Sequence, residues 1–347
     1  MLYVTTRSNR DAYTANRAVL ESRGPDGGLY VPFRLPVFSQ DEIAGLPDYG
    51  FAHNVAHVLN VFFNTKLTEW DVAFCIGRNP VRIKRLSSRI AVGECWHNPQ
   101  WDFSFLVKTI SEQICIKAPG VQAEGDWPGI AIRIAILFGV FGELLRSGVL
   151  EVGSELDASV SSDDFSAPIS LWYARTMGLP VGSIICCCNE NNTLWDLFHN
   201  GQFRTDAVAV TTDLPFADVT LPVSLERLIH ACGGPLEVVK YLDACRLGRG
   251  YYPSESLIHV MRRGIHVSVV SQSRTNSTIS TVLNSTGYVL SPYAALAYAG
   301  LQDYASHHGS GRFSLVMSER SPRKDIRSIC RALNAPEEEI MRLLDVS

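Results

Sequence analysis

A short segment between Glu94 and Lys108 contains side chains of the types that carry out proton and amine chemistry. Glu94 and His97 can each donate or accept a proton, although no nucleophile is visibly paired with His97. Lys108 supplies a primary amine one helical turn beyond Ser104. A serine hydroxyl cannot form an imine with an aldehyde, so the identity of residue 104 decides what this segment can do.

Residues 94–105 resemble the threonine synthase motif E-L-F-H-G-P-T-x-A-F-K-D. In that family the lysine forms the Schiff base with pyridoxal phosphate (PLP), and here its position is occupied by Ser104. The matching positions are Glu94, His97, Pro99 and Phe103. The resemblance therefore implies a relative that lacks the covalent anchor of the cofactor.

Further segments resemble the same family in the same order along the chain. They are residues 3–7 with 26–32, residues 173–180 with 189–191, residues 222–228, and residues 286–295. The resemblance implies an α/β fold in which a parallel sheet is flanked by helices, the PLP fold-type-II (tryptophan-synthase-β-like) large domain. It also divides the chain into a threonine-synthase-like N-terminal lobe at residues 1–85 and a degenerate catalytic domain at residues 86–347.

The phosphate-binding loop of the family, T-G-N-F-G-N, is matched here by a segment without glycine. That segment reads Ser161, Ser162, Asp163, Asp164, Phe165, Ser166 and Ala167. Glycine lets such a loop reach positive φ and bring its backbone N–H groups close to a phosphate. Asp163 and Asp164 would also repel a dianion. We therefore predict a degenerate phosphate loop and no bound PLP.

The length between Ser104 and Ser161 is also short. Ser161 comes only 57 positions after Ser104, where the family has a glycine-rich loop and most of a small domain. A single βαβ unit needs about 30 residues, and helices after Ser104 and at residues 126–147 use most of the interval. We therefore expect the small domain to be reduced or lost.

The rest of the chain alternates predicted strands with predicted helices, which indicates a parallel sheet covered on both faces. The predicted strands are residues 29–31, 184–188, 207–211, 266–270 and 313–317. The predicted helices are residues 51–63, 194–200, 225–231, 236–245, 292–304 and 336–344.

Several polar residues keep the identity found in the family around a changed centre. Glu94 and His97 precede it, and Asn189, Glu190 and Asn191 follow a predicted buried strand. In one interpretation they line a remodelled pocket for an amino-acid-like molecule. In the other they cap helices and tie loops together by buried hydrogen bonds.

Composition limits the remaining possibilities. A net charge of −4 gives no reason to expect nucleic acid or an anionic membrane surface. The first residues lack the features of a signal peptide, and the apolar run at residues 130–145 is short for a bilayer span, so we expect a cytoplasmic location. The nine cysteines show no ligand-like spacing, and we expect no metal.

We therefore predict a non-catalytic threonine-synthase-like protein that binds a small ligand or a protein partner, or has an accessory role in amino-acid metabolism. The alternative is a PLP-dependent lyase acting on O-phosphohomoserine, with Lys108 as a weak substitute for the missing lysine. An enzyme of different chemistry in a remodelled cleft is a third possibility. The sequence does not indicate the oligomeric state.

Overall fold

A computed structural model describes residues 1–77, 81–95, 108–110, 112, 126–309 and 311–346. The chain begins with a small antiparallel sheet in the order β2-β1-β3. Its strands are β1 (Leu2–Thr5), β2 (Ser8–Thr14) and β3 (Tyr30–Pro32). The strand predicted at residues 29–31 is thus confirmed with a shift of one residue.

Four helices occur in the same part of the chain, and the first of them lies between β2 and β3 and contacts β1 and β2. They are α1 (Ala15–Leu20), α2 (Gln40–Ala44), α3 (Phe51–Phe63) and α4 (Glu69–Ile76). Ser39 and Thr68 start α2 and α4 with capping boxes, in which the cap hydroxyl and a carboxylate three residues later satisfy backbone N–H groups. The helix predicted over residues 51–63 is confirmed with the same bounds.

The larger sheet has six strands in the order β4-β5-β9-β6-β7-β8. They are β4 (Arg82–Arg85), β5 (Ile90–Glu94), β6 (Leu156–Ser161), β7 (Val181–Cys188), β8 (Ile265–Val269) and β9 (Phe313–Ser318). Only the β4–β5 pair is antiparallel; every other neighbouring pair is parallel. Between β5 and β6, the described residues include helical residues 108–110 and 112 and one long helix, and none of them forms a strand.

Helices cover both faces of this sheet. They are α5 (Trp127–Arg146), α6 (Ser166–Thr176), α7 (Thr193–Asn200), α8 (Leu225–Leu247), α9 (Glu255–Met261), α10 (Gln272–Thr286), α11 (Pro292–His308), α12 (Ile326–Leu333) and α13 (Glu337–Val346). Cys186 and Cys188 of β7 belong to the apolar core that contains α3, α5 and α6, whereas Cys187 belongs to the core that contains α11. Alternation along a strand explains this division. The predicted fold class, a mostly parallel α/β sheet flanked by helices, is confirmed.

Helix α5 lies in the centre of the first core. By length and composition it could cross a bilayer, with a mean hydropathy of 1.8, but 94% of its most apolar window is buried inside the protein. Gly139 allows close packing on α3, because a Cβ atom there would lie 2.8 Å from a ring carbon of Phe51. The helix begins after Asp126 with Pro128 in its first turn, within the range of residues 126–147 predicted for it. It is therefore a core helix.

Helix α8 contains both helices predicted between residues 225 and 245. They are joined across a kink at Gly234, whose φ is 75°, and Pro235 follows it. Proline lacks the N–H that would continue the hydrogen-bond ladder, and glycine tolerates the positive φ of the bend. The two predictions are therefore confirmed as two arms of one bent helix.

The strand predicted at residues 207–211 is wrong. This segment is extended but pairs with no neighbouring strand. Instead, the N–H of Val210 donates to the side-chain oxygen of Asn191 at 2.7 Å, and the Val210 carbonyl accepts from the amide of Asn191 at 2.9 Å. Val208 is 88% exposed, so its β-branched side chain does not mark a buried strand. The side chain of Asn191 therefore forms the hydrogen bonds with the Val210 backbone that a neighbouring strand would form in a sheet.

Candidate functional site

The carboxyl ends of three parallel strands meet at one edge of the large sheet. Glu94 ends β5, Ser161 ends β6 and Ser318 ends β9, and these strands are neighbours in the order β5-β9-β6. In open α/β sheets, ligands bind in the crevice outside the carboxyl ends of the strands. The candidate site therefore lies among the loops that follow these strands.

Glu94 is fully buried, and its carboxylate joins separate parts of the chain. Tyr288 donates its hydroxyl hydrogen to Oε1 at 2.5 Å, and Arg82 donates from Nε to Oε2. Lys84 lies over the ring of Tyr288, with its Nζ 5.7 Å from the ring centre. These contacts support the structural interpretation of Glu94, because a buried carboxylate needs donors of this type.

In the turn at residues 161–166, two residues other than glycine adopt left-handed backbone conformations. Asp163 and Phe165 have φ values of 38° and 70°. The hydroxyl of Ser161 donates to the carboxylate of Asp163, and the N–H of Phe165 donates to the Ser162 carbonyl at 2.7 Å. Left-handed conformations cost energy for residues other than glycine, most of all for a bulky one such as phenylalanine. The buried side chain of Phe165 and these hydrogen bonds hold the turn in place.

Asp164 caps the helix that starts at the end of this turn. Its carboxylate accepts from the backbone N–H of Ser166 at 2.9 Å and from the hydroxyl of Ser166 at 2.7 Å. The Ser166 hydroxyl also lies 3.0 Å from the hydroxyl of Ser224. A negative group is favoured at a helix N-terminus by the free N–H groups and the helix dipole. Asp164 thus places the chain's own anion at the start of α6.

Asp163 is the most strongly perturbed carboxylate in the described part of the site. Burial raises its pKa to about 7, and nearby Glu319 adds to the increase by like-charge repulsion. The hydrogen bond from Ser161 and the charge of Arg133 lower the pKa but do not cancel the effect of burial. Asp163 therefore exchanges its proton near neutral pH.

Sequence reasoning missed a bidentate ion pair near Asp163. The guanidinium of Arg133 donates from Nε to the two oxygens of Glu319 at 3.2 and 3.3 Å, and from Nη2 to one of them at 3.1 Å. Arg133 lies on α5 and is buried, whereas Glu319 follows β9 and is partly exposed. The signal was an arginine inside an otherwise apolar helix, because a buried cation is rarely left unpaired.

The Arg133–Glu319 pair lines a narrow cavity under the sheet edge. Its walls are mostly apolar and include Cys95, Val160, Leu171 and Met317. The cavity has a volume of about 20 Å³, enough for about one water molecule. An amino-acid-sized molecule could enter this space only if its walls moved apart.

Asn189 and Asn191 are buried and hold a long loop in place. The amide of Asn189 donates to Asp218 at 2.7 Å and to Thr212 at 3.0 Å, and the amide of Asn191 donates to Asp218 at 3.1 Å. Glu190 accepts from the N–H of Gln272, the first residue of α10, at 2.7 Å. These contacts support loop anchoring and helix capping for the three residues.

Other predicted residues are placed differently or fall outside the description. Ser104 and His97 lie outside the described residues. Lys108 has a side chain that is 61% exposed, and its Nζ lies 3.9 Å from a carboxylate oxygen of Glu112. Within the described ranges, no group of three or more His, Cys, Asp or Glu side chains could hold a metal ion.

Comparison with known proteins identifies the relationship. The family model for the threonine synthase N terminus matches residues 2–79. Human threonine synthase-like 1 is 23% identical over 177 residues, which cover 50% of this chain and 24% of that protein. The chain therefore matches only about a quarter of that relative's length. The threonine synthase of Pseudomonas aeruginosa is 27% identical over an alignment that covers 85% of this chain and 83% of that protein.

Solved structures of threonine synthases share the fold. PLP-bound threonine synthase from Brucella melitensis has a TM-score of 0.84 at 18% identity, covering 96% of this chain and 91% of that chain. The yeast enzyme has a TM-score of 0.81 at 15% identity, covering 96% and 90%. The predicted lobe boundary near residue 85 stays a prediction. The protein is thus a relative of the threonine synthases, with their N-terminal domain at residues 2–79 and their fold.

Proposed function

We propose that this threonine synthase relative is a pseudoenzyme, which does not carry out PLP chemistry. In this proposal it acts by binding an amino-acid-like molecule or a protein partner, in an accessory role in amino-acid metabolism. We place it in the cytoplasm and expect neither nucleic acid nor a membrane as partner. The proposal rests on the residues around the turn at 161–166.

The observation that carries the proposal is the position of the Asp164 carboxylate. It accepts the N–H and the hydroxyl of Ser166 at the start of α6. A helix N-terminus next to a strand is where the phosphate of a cofactor would need those same donors. Because the carboxylate already uses them, a phosphate would have to displace a hydrogen-bonded anion of the chain itself.

The surrounding charges also oppose a phosphate. Glu319 raises the pKa of Asp163 by like-charge repulsion, and a phosphate would add two further negative charges. The charge of Arg133 is already used by Glu319, through bonds of 3.1–3.3 Å. The described residues therefore do not fit the PLP phosphate.

The lysines give little support to catalysis. The chain has six, of which Lys117 lies outside the described residues. Lys108 is mostly exposed and near Glu112, and Lys240 pairs with Glu237 at 2.9 Å while remaining 70% exposed. An amine that forms an internal imine is normally held in a partly desolvated site, where its pKa falls. Neither environment has that character.

A working lyase remains the second candidate. Relatives of this chain are threonine synthases, and one of the matching structures contains PLP. In this alternative the chain would convert O-phosphohomoserine to threonine and phosphate, with Lys108 as the amine. The small cavity beside Arg133 and Glu319 counts against this reaction and against an unrelated one, because neither substrate would fit without rearrangement.

Incubation of the full chain with PLP separates the two candidates. We expect no imine absorbance band, no borohydride-trapped PLP–lysine peptide by mass spectrometry, and no phosphate release from O-phosphohomoserine. Threonine synthase from Brucella melitensis serves as the positive control. A trapped adduct that disappears in Lys108→Ala would overturn the pseudoenzyme proposal, and so would an adduct at any other lysine accompanied by turnover.

A screen of free amino acids by thermal shift tests the binding role. A molecule that binds only the folded state raises the melting temperature in proportion to its concentration over Kd. We expect the shift to be smaller in Arg133→Met, because that substitution removes the cation lining the cavity. Lys240→Met, which removes a cation from an exposed helix, is the matched control. If no amino acid shifts the wild type, the small-ligand role is rejected in favour of a protein partner.

A further inference from the structure

Arg227 is an unusual residue because its side chain is fully buried and only partly hydrogen-bonded. Its Nη1 donates to the hydroxyl of Ser224 at 3.2 Å. Within the described part of the chain, its Nε and Nη2 have no hydrogen-bond acceptor. Burial lowers the pKa of this guanidinium, whereas neighbouring groups including Tyr173 and Asp164 raise it. A buried cation with free N–H groups is costly unless an anion balances it.

A chain of hydrogen bonds connects Arg227 to the start of α6. Arg227 donates to Ser224, whose hydroxyl lies 3.0 Å from that of Ser166, and Ser166 donates to the carboxylate of Asp164. The backbone N–H of Ser224 also donates to the Asp164 carbonyl at 3.0 Å. Ser166 and Ser224 are both buried. The result is a line of hydrogen bonds that runs from the partly exposed Asp164 carboxylate, through two buried hydroxyls, to the buried guanidinium of Arg227.

We infer that Asp164, Ser166, Ser224 and Arg227 form an oxyanion site that the chain fills with its own Asp164 carboxylate. The donors that surround it are those that bind phosphate elsewhere: helix N–H groups, serine hydroxyls and a guanidinium. The site is latent, and it accepts a small oxyanion such as inorganic phosphate when the carboxylate is removed. This inference deepens the proposed function and rests on it, since it gives the physical reason why a phosphate is excluded.

The difference between Asp164→Ala and wild type tests the inference with inorganic phosphate as the probe. Phosphate binding is followed by calorimetry and by thermal shift, at constant ionic strength set with chloride. We expect Asp164→Ala to bind phosphate at least about tenfold more tightly than wild type, because charge-assisted donors become free. The double variant Asp164→Ala/Ser166→Ala should lose that gain.

Asp163→Asn is the matched control when binding is measured above about pH 7, where Asp163 is ionised, because it then removes the same charge one residue away without freeing the Ser166 donors. It should bind phosphate no better than wild type. If Asp164→Ala fails to fold, Asp164→Ser is used, since serine can still cap the helix. Equal binding by Asp163→Asn and the residue 164 variant would overturn the inference, because charge alone would then explain it. Phosphate binding by wild type would also overturn the inference. So would a residue 164 variant that binds phosphate no more tightly than wild type.

The phosphate experiment can fail independently of the proposed function. In wild type, a PLP–lysine adduct that is lost in Lys108→Ala, or an adduct at another lysine accompanied by turnover, would reject the pseudoenzyme proposal whatever the phosphate data show. The converse outcome is a wild type that forms no PLP adduct and an Asp164→Ala variant that binds phosphate no more tightly than wild type. That result would reject only the self-filled site.

Discussion

Thr6 donates its hydroxyl hydrogen to the carboxylate of Glu226, although 220 positions separate the two residues in the chain. Both side chains are buried. The same hydroxyl accepts the backbone N–H of Leu29 at 2.9 Å, and Arg7 lies 3.4 Å from the carboxylate. The start of the N-terminal sheet is therefore attached to the start of α8, one residue from the buried Arg227.

Removal of the Thr6 hydroxyl should destabilise the whole fold. Thr6→Val keeps the shape of the side chain but leaves the buried Glu226 carboxylate and the Leu29 N–H without this partner. We expect the free energy of unfolding to fall by about 1–3 kcal/mol, measured by urea denaturation. Thr281→Val, on the exposed face of α10, is the control and should change it by less than about 0.5 kcal/mol. Equal stability of both variants would show that the contact contributes nothing.

The Tyr288–Glu94 hydrogen bond should also contribute to stability. Tyr288→Phe removes the hydroxyl that donates to Oε1 at 2.5 Å and leaves a fully buried carboxylate with fewer donors. The expected loss is about 1–3 kcal/mol in the free energy of unfolding. Tyr252→Phe is the control, because that hydroxyl is on an exposed side chain that meets Gln202. A Tyr288→Phe protein as stable as wild type would argue against a structural role of Glu94.

Asp163 should make stability depend on pH near neutrality. Its pKa rises from an ordinary value of 3.8 to about 7 on folding, mainly through burial. Between these values the unfolded chain has lost the proton and the folded chain retains it. The contribution of Asp163 to the free energy of unfolding therefore falls as pH rises from about 4 to about 7, and is constant above that.

Asp163→Asn should remove this dependence, since an amide does not titrate and asparagine tolerates the same positive φ. Urea denaturation from about pH 5 to pH 8 measures the slope of the free energy of unfolding against pH. We expect a flatter profile and higher stability than wild type at the alkaline end. Asp206→Asn, at an exposed position, is the control. Unchanged slopes in Asp163→Asn would contradict the pKa shift.

Asn189 should control access to the loop at residues 206–221. Asn189→Ala removes the amide that donates to Asp218 and Thr212, while their contacts with each other remain. We expect faster amide hydrogen exchange and faster proteolytic cleavage in this loop, because local opening becomes less costly. Asn200→Ala, on the exposed end of α7, should leave the loop protected. If Asn189→Ala changes ligand binding but not loop protection, the pocket interpretation replaces the structural one.

The sequence alone determined the features that depend on local pattern. Apolar spacing predicted α3 with its observed bounds, and alternation of short apolar runs with helical segments predicted the parallel sheet. Helices were predicted on both sides of residues 232–235, and the structure joins them there into the bent helix α8. The order of the short motifs indicated the relationship to threonine synthases. Each of these signals lies within a few residues, so no knowledge of the fold was needed.

Only the tertiary structure decided how the site is arranged. Arg133 and Glu319 are 186 positions apart, and nothing in the sequence near either residue identifies its partner. The extended residues 207–211 have the composition of a strand, but the side chain of Asn191 binds the backbone of Val210. Likewise, Asp164 is recognisable as acidic from sequence, but its placement beside Ser166, Ser224 and the buried Arg227 required the folded chain. Pairing between distant side chains depends on which strand ends and helix starts the fold brings together, and local sequence does not contain that information.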